Sequence, residues 1–484
     1  RYRYVTGVQT CALPISARQA FEQALLLFEE LDDQSGTAVT LGNLGYVAQV
    51  QSRYDDARDY LQRALAMALA IDDRQSIVKH TLGLGWVALQ RGDMDAAQRQ
   101  QQAALELAGD IGYLRGVLTA QRHMADACLY QNRLDDAETG YRRLLHRAQQ
   151  AQLTDLAAHA TGNLGIVYAR RGSYDAAIAQ YEAAIAHCRE LDDPVNLRKH
   201  LGNLGSTYRR LGRYDEAETC FKDALRTERI VGLRHGEANT LVNLGALSRQ
   251  RGELDTAVAY FEQALALHTA LNHPDGIAKS EGFLGMIYQQ KGEFAAAAVS
   301  YEAALARSEQ IGDRLTAAVW RHNLSETALA AGDPAAAEAY VVAALATFRQ
   351  LQSKSYIAST LVTQGCILHA QGQWAAARLA LDEAITLATA VGEETLLFKA
   401  RVLLARCVAA QGDGETAVAQ LNALLPDAAT PAQEADALYA LWETGGDAAH
   451  AAAVLALYRT LLAQTPDYVY RERVGVLTTV VRLD

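Results

Sequence analysis

Apolar residues return along this chain at helical steps, and the whole pattern then returns every forty residues. Cut at residues 41, 81, 121 and onward to 440, the blocks align without gaps. Leu44, Leu84, Leu164, Leu204, Leu244, Leu284 and Leu324 share one column, and Gly follows at 45, 85, 165, 205, 245 and 285. Eight positions after the leucine come Gly92, Gly172, Gly212, Gly252, Gly292, Gly332, Gly372 and Gly412. An unbroken alanine column runs from Ala57 through Ala177 and Ala217 to Ala417, with a bulky residue four later in most blocks, as at Tyr141, Tyr181, Phe221, Phe261 and Tyr301.

Each column has a physical reason. Leu164, Gly165 and Tyr168 give one helix a packed face with a notch where a neighbouring backbone approaches. Gly172 and its equivalents end that helix, because glycine takes the left-handed turn at little cost. The alanine column keeps a second helix close to the first. One block is therefore predicted to be a helical hairpin, and the chain an all-α array rather than a single compact core. Acidic pairs such as Asp32-Asp33, Asp72-Asp73 and Asp192-Asp193 recur at the same period and read as turn and capping residues.

The pattern L-G-x-x-Y-x-x-x-G-x-Y-x-x-A-x-x-x-Y-x-x-A-L resembles the tetratricopeptide repeat, most closely over 161–200. The usual unit has about 34 residues; forty resembles the longer-helix variety of kinesin light chains, polarity scaffolds and bacterial peptide-sensing receptors. The resemblance implies a right-handed superhelical solenoid of antiparallel helix pairs. Its expected organisation is ten repeats over 36–430, then a shorter terminal repeat and capping helix over 431–484.

Extended backwards, the register places the second helix of a truncated repeat at 16–35, where Ala17, Phe21 and Ala24-Leu25 fall in their columns. Residues 1–15 match no column, and VTGVQTCALPI at 5–15 resembles the in-frame translation of a common sequencing-adapter oligonucleotide. On that reading 1–15 is a non-native leader, and natural sequence upstream of Ser16 is missing.

Composition narrows the function. The formal net charge of −11 argues against a general nucleic-acid or anionic-membrane binder. Six dispersed cysteines without C-x-x-C suggest neither a disulfide framework nor a zinc site, and fit a reducing cytoplasm. No apolar run approaches the ~20 residues of a membrane span. The phosphate-loop, nucleophile-elbow and H-E-x-x-H signatures are all lacking. His80 and His200 share a repeat column, which reads as inheritance rather than a metal pair. No catalytic, cofactor or metal residue is expected.

The family resemblance implies that first helices line an inner groove where peptides bind. It places Asn43, Asn163, Asn203, Asn243 and Asn323, just before the leucine column, on that groove. A side-chain amide both donates and accepts, so an asparagine ladder suits an extended backbone; bonding to the adjacent helix is the other reading. Arg170, Lys199, Arg209, Arg210 and Arg249 add positive charge, with Lys79, Lys279 and Lys399 in the column of Lys199. Such a groove suits an acidic segment or a terminal carboxylate; ordinary solvated helix residues are the alternative. Tyr46, Trp86 and Met286 supply apolar groove positions. The two-carboxylate clamp of chaperone-tail binders is not reproduced. The expected function is a non-enzymatic scaffold binding an acidic peptide segment. The alternative is the sensing arm of a larger signalling protein with an ATPase, cyclase or DNA-binding domain.

Overall fold

The computed structural model describes residues 14–51, 53–445 and 448–481. Most of the leader, with Cys11, lies outside the described residues. Those described form α-helices joined by tight turns, with one short 3₁₀ turn at Leu425–Asp427 and no strand among them. The first helix, α1, spans Pro14–Glu30.

A single hairpin shows how the columns act. Helices α8 (Thr154–Arg170) and α9 (Tyr174–Glu190) are antiparallel neighbours in sequence. Gly172 between them has φ +79°, a left-handed conformation that closes the turn without a Cβ clash. The Gly165 notch admits a ring rather than a backbone: a Cβ there would lie 2.7 Å from the ring of Tyr181. In the next hairpin, α10 (Pro194–Arg210) and α11 (Tyr214–Val231), a Cβ on Gly205 would lie 2.8 Å from Phe221. Ala177 and Ala217 are fully buried where each second helix crosses its first.

The acidic pairs divide the work of the turn between hairpins. Asp192 takes φ +48°, a conformation that aspartate tolerates, and Asp193 accepts a hydrogen bond from the Asn196 amide at 3.1 Å. That N-cap stabilises α10 by about 1 kcal/mol, and Pro194 occupies the first helical turn, where a missing N–H costs nothing. Asp32-Asp33 and Asp72-Asp73 repeat both roles.

Two compact units divide the chain, one ending at Asn243 and the other running from Leu244 to Asp484. The first contains α2 (Gln34–Val50), α4 (Arg74–Gln90), α6 (Leu114–Tyr130), α8 and α10. These five first helices touch one another in sequence, α2 with α4, α4 with α6, α6 with α8 and α8 with α10, whereas consecutive second helices make no comparable contact among the described residues. The second helices therefore splay apart on the outside, and the first helices form the inner wall. The second unit repeats the arrangement with α14 (Pro274–Lys291), α16 (Arg314–Ala330), α18 (Lys354–Ala370), α20 (Glu394–Ala410) and α22 (Pro431–Gly445).

The second unit ends in α23 (Ala448–Gln464) and α24 (Tyr468–Val481), and α24 packs on α23 while also reaching α14. Tyr468 meets Phe294 edge-on at 4.9 Å between centroids. Arg473 pairs with Asp436 and the Tyr458 hydroxyl, its guanidinium 4.6 Å above the Tyr439 ring.

Candidate functional site

Inner-wall positions recur on every first helix, and α6 fills them with unusual residues. The column that holds Tyr46 in α2 and Trp86 in α4 holds Asp126 in α6. The column that holds Gly42, Gly162 and Gly202 holds Arg122. Directly across on α8, His159 stands in the column of Lys199.

Asp126 is buried at the centre of a polar network. One of its oxygens accepts from the Tyr141 hydroxyl at 2.6 Å and from the Asn163 amide at 2.9 Å. Asn163 also lies 3.0 Å from the Tyr141 hydroxyl and 3.3 Å from His159 Nδ1. Burial pushes the Asp126 carboxyl above its ordinary range, although Arg122, Tyr141 and Asn163 oppose the shift. The carboxyl at the centre of this network is thus disfavoured in its charged form.

The cations around it are poorly compensated. Arg122 contacts His123, and its Nε has no hydrogen-bond partner in the structure. Lys199 is exposed to solvent, yet the protein packed around it, together with Arg198 and Arg122, pulls its pKa down to about 8 against Asp193 and Asp126. Among the described residues no carboxylate lies within 4.0 Å of either cation. Burial and then Arg122 and Lys199 hold His159 well below its usual value, so it stays neutral.

The remaining expected groove residues divide by environment. Asn43, Asn203 and Asn243 are half-buried on the first helices. Asn163 has its amide engaged by Asp126 and Tyr141, and in the second unit Asn323 bonds to Tyr301. Both therefore join a first helix to the buried tyrosine of the preceding hairpin. Arg170 donates to the Leu129 carbonyl at 2.8 Å, and Arg210 is exposed. Arg209 is half-buried, and it, Arg170 and Arg210 stand in last helical turns, where the helix dipole favours a cation. Arg249 holds the same position in the helix Arg234–Gln250 and faces Tyr301 in the second unit. Tyr46 is 54% exposed, whereas Trp86 packs edge-on to Tyr54 at 5.9 Å against Ala48, Ala57 and Leu61. Met286 is partly buried against Tyr301 and Trp320.

The histidine column serves packing. A Cβ on Gly42 would lie 2.4 Å from His80, and one on Gly162 would lie 1.9 Å from His200. Burial pulls both imidazoles down to about 4. Among the described residues no group of three or more His, Cys, Asp or Glu is placed to hold a metal, and the five described cysteines are free. No described helix is long and apolar enough to cross a membrane.

Solved structures of similar fold include apo RapI, 14% identical with a TM-score of 0.57, over 73% of this chain and 99% of that one. The apo quorum sensor NprR from B. thuringiensis is 14% identical with a TM-score of 0.53, over 73% and 99% of the respective chains. A signal-transduction ATPase with a tetratricopeptide repeat sensor, from Pyrococcus horikoshii, is 14% identical with a TM-score of 0.51, over 76% of this chain and 52% of that one. At these identities the likeness concerns the fold. No curated protein matches the chain. The tetratricopeptide repeat model matches residues 14–70, 36–110, 116–190, 155–229, 196–270 and 276–350, together more than half of the sequence. With its glycine-closed hairpins and its inner wall of first helices, the chain belongs to the tetratricopeptide repeat family.

Proposed function

We propose that this protein is a non-enzymatic scaffold of the cytoplasm that binds an extended, acidic peptide segment along the inner wall of its first helices. The supporting observation is a set of cations on the first helices, half-buried Arg122 and exposed Lys199 among them, with no carboxylate within 4.0 Å of either among the described residues, in a chain of net charge −11. Negative charge dominates the chain as a whole, so a local deficit of it on the inner wall marks where an acidic partner fits. Asn43 and Asn203 offer amides to a peptide backbone, Tyr46 offers an apolar contact, and Arg170, Arg209 and Arg210 extend the positive potential along the wall. RapI and NprR support the reading as structures of the same fold, NprR being a quorum sensor.

An array of 15-residue peptides of varied charge tests this directly. The full chain is expected to capture acidic peptides over neutral and basic ones, and to lose that preference as salt rises from about 50 to 300 mM. Arg209→Glu with Arg210→Glu should weaken acidic capture several-fold. Capture indifferent to peptide charge would remove the acidic specificity, and no capture at all would remove peptide binding.

The repeat sensor of the Pyrococcus ATPase favours a second reading, in which the array is the sensing arm of a larger signalling protein. A catalytic or DNA-binding domain encoded in the same natural reading frame would decide for it.

A further inference from the structure

We propose that residues 465–481, comprising α24 and the turn before it, form a releasable latch that closes the second unit on itself and shields its inner wall, whatever that wall binds. A segment laid along α14 to α22 enters only when the latch lifts.

The glycines that close the hairpins mark where the latch lands. Gly92, Gly172, Gly212, Gly252, Gly292, Gly332, Gly372 and Gly412 all take positive φ, and at six of them an added Cβ would meet nothing within 4 Å among the described residues. Gly252 and Gly292 differ. A Cβ on Gly252 would lie 2.8 Å from the Gln464 carbonyl oxygen and 2.9 Å from Pro466 Cδ, and one on Gly292 would lie 3.1 Å from Tyr468 Cβ. The chain passes through five hairpins, α14 to α23, before it returns to these two turns. Tyr468 then sets its ring edge-on to Phe294, the first residue of α15 (Phe294–Gln310). Two turns that are open elsewhere in the array here carry backbone and side chain from the other end of the unit.

The latch is fastened at both ends of the inner wall. At one end α24 touches α14; at the other Arg473 pairs with Asp436 on α22 and with the Tyr458 hydroxyl on α23. Between those anchors lie α16, α18 and α20, the middle of the wall. The hold is thin. Of α24 only Leu477 is buried, whereas α15 buries Ala297, Tyr301, Ala304 and Ser308. An element with so few buried contacts opens at a smaller free-energy cost than the repeats it rests on. Cys366, half-buried on α18 in the column of Tyr46, is a natural thiol on the wall between the anchors.

The test locks and loosens the latch in the full chain and follows how fast Cys366 takes up a bulky maleimide, with the modified residue located by mass spectrometry. Gly292→Cys with Tyr468→Cys supplies the lock: their Cβ positions lie 3.1 Å apart, close to the about 3.8 Å of a disulfide, so oxidised glutathione should cross-link them. The locked chain should label at Cys366 at least about tenfold more slowly than the natural chain given the same oxidant. Gly252→Ala with Gly292→Ala should label at least about tenfold faster than Gly332→Ala with Gly412→Ala, which strains the same kind of turn without meeting the latch. Tyr468→Ala loosens the latch without straining any turn and should also label faster than the natural chain. Circular dichroism melts confirm that each variant is folded. Failure of the cross-link to form, equal labelling of the locked and natural chains, or loosened variants no faster than their controls would each overturn the latch. No peptide enters this assay, so its outcome is independent of the peptide-binding reading.

Discussion

Phe221→Ala is expected to destabilise the first unit by about 3–5 kcal/mol, the range for losing a fully buried aromatic side chain. Phe221 has no exposed surface, and its ring fills the notch left by Gly205, where a Cβ would lie only 2.8 Å away. Truncation leaves a hole bounded on one side by a glycine, and a glycine has no side chain with which to close it. Gly205→Ala alone should cost about 1–3 kcal/mol through overpacking, reduced somewhat by alanine's better helix propensity. The two changes together should cost less than their sum, because the new methyl occupies space the ring has vacated. Urea titration with hydrogen exchange resolved over α10 and α11 measures all three. A loss below about 1 kcal/mol for Phe221→Ala would mean that the ring and notch do not hold the hairpin together.

Asp126→Ala is expected to cost about 1–3 kcal/mol, because it strands the buried Tyr141 hydroxyl as a donor and removes one of the acceptors of the Asn163 amide. Asp126→Asn should cost far less, since its amide oxygen still accepts from both. The two variants also differ in pH dependence. Burial raises the folded pKa of Asp126 above its unfolded value of about 4. The native state therefore binds that proton more tightly, and the stability linked to it is full below the unfolded value and lost as pH rises through the raised one. Thermal melts between pH 4 and 8 should show a larger loss in the natural chain than in Asp126→Asn, where buried Glu228, pushed up to about 7, still contributes. An alanine variant as stable as the asparagine variant would contradict the network.

The fold was legible because repetition exposes what every hairpin needs. Gly172, Ala177 and the pair Asp192-Asp193 each answer a local backbone or packing demand, and such demands recur with the period. The partner of the notch was less legible. Gly165 signals close approach, but only the folded hairpin shows that Tyr181 enters it. The asparagine column left two readings open, and Asn163 and Asn323 are engaged by buried tyrosines of the preceding hairpin.

The cluster around Arg122 escaped a search for shared columns because it consists of departures from them. Arg122 stands where four blocks have glycine, Asp126 where Tyr46, Trp86 and Ile166 stand in the neighbouring blocks, and Met124, 37% exposed, where most blocks have leucine. Block 121–160 lacks the leucine and both glycines of its neighbours, having Met124, Ala125 and Asn132 there, and that lack is the signal in the sequence. A solenoid's scaffold is what its repeats share, and its specificity is concentrated where one repeat differs from the rest.

The central claim, that the inner wall of the first helices receives the peptide, is tested most directly by photo-crosslinking. A captured acidic peptide carrying a benzophenone side chain at successive positions would be irradiated with the full chain and its adducts mapped by mass spectrometry. The account predicts adducts on α2, α6, α8 and α10, including the neighbourhoods of Tyr46, Arg122 and His159. Adducts confined to the outer faces of second helices, such as the exposed surface around Gln98 and Gln102, would contradict it.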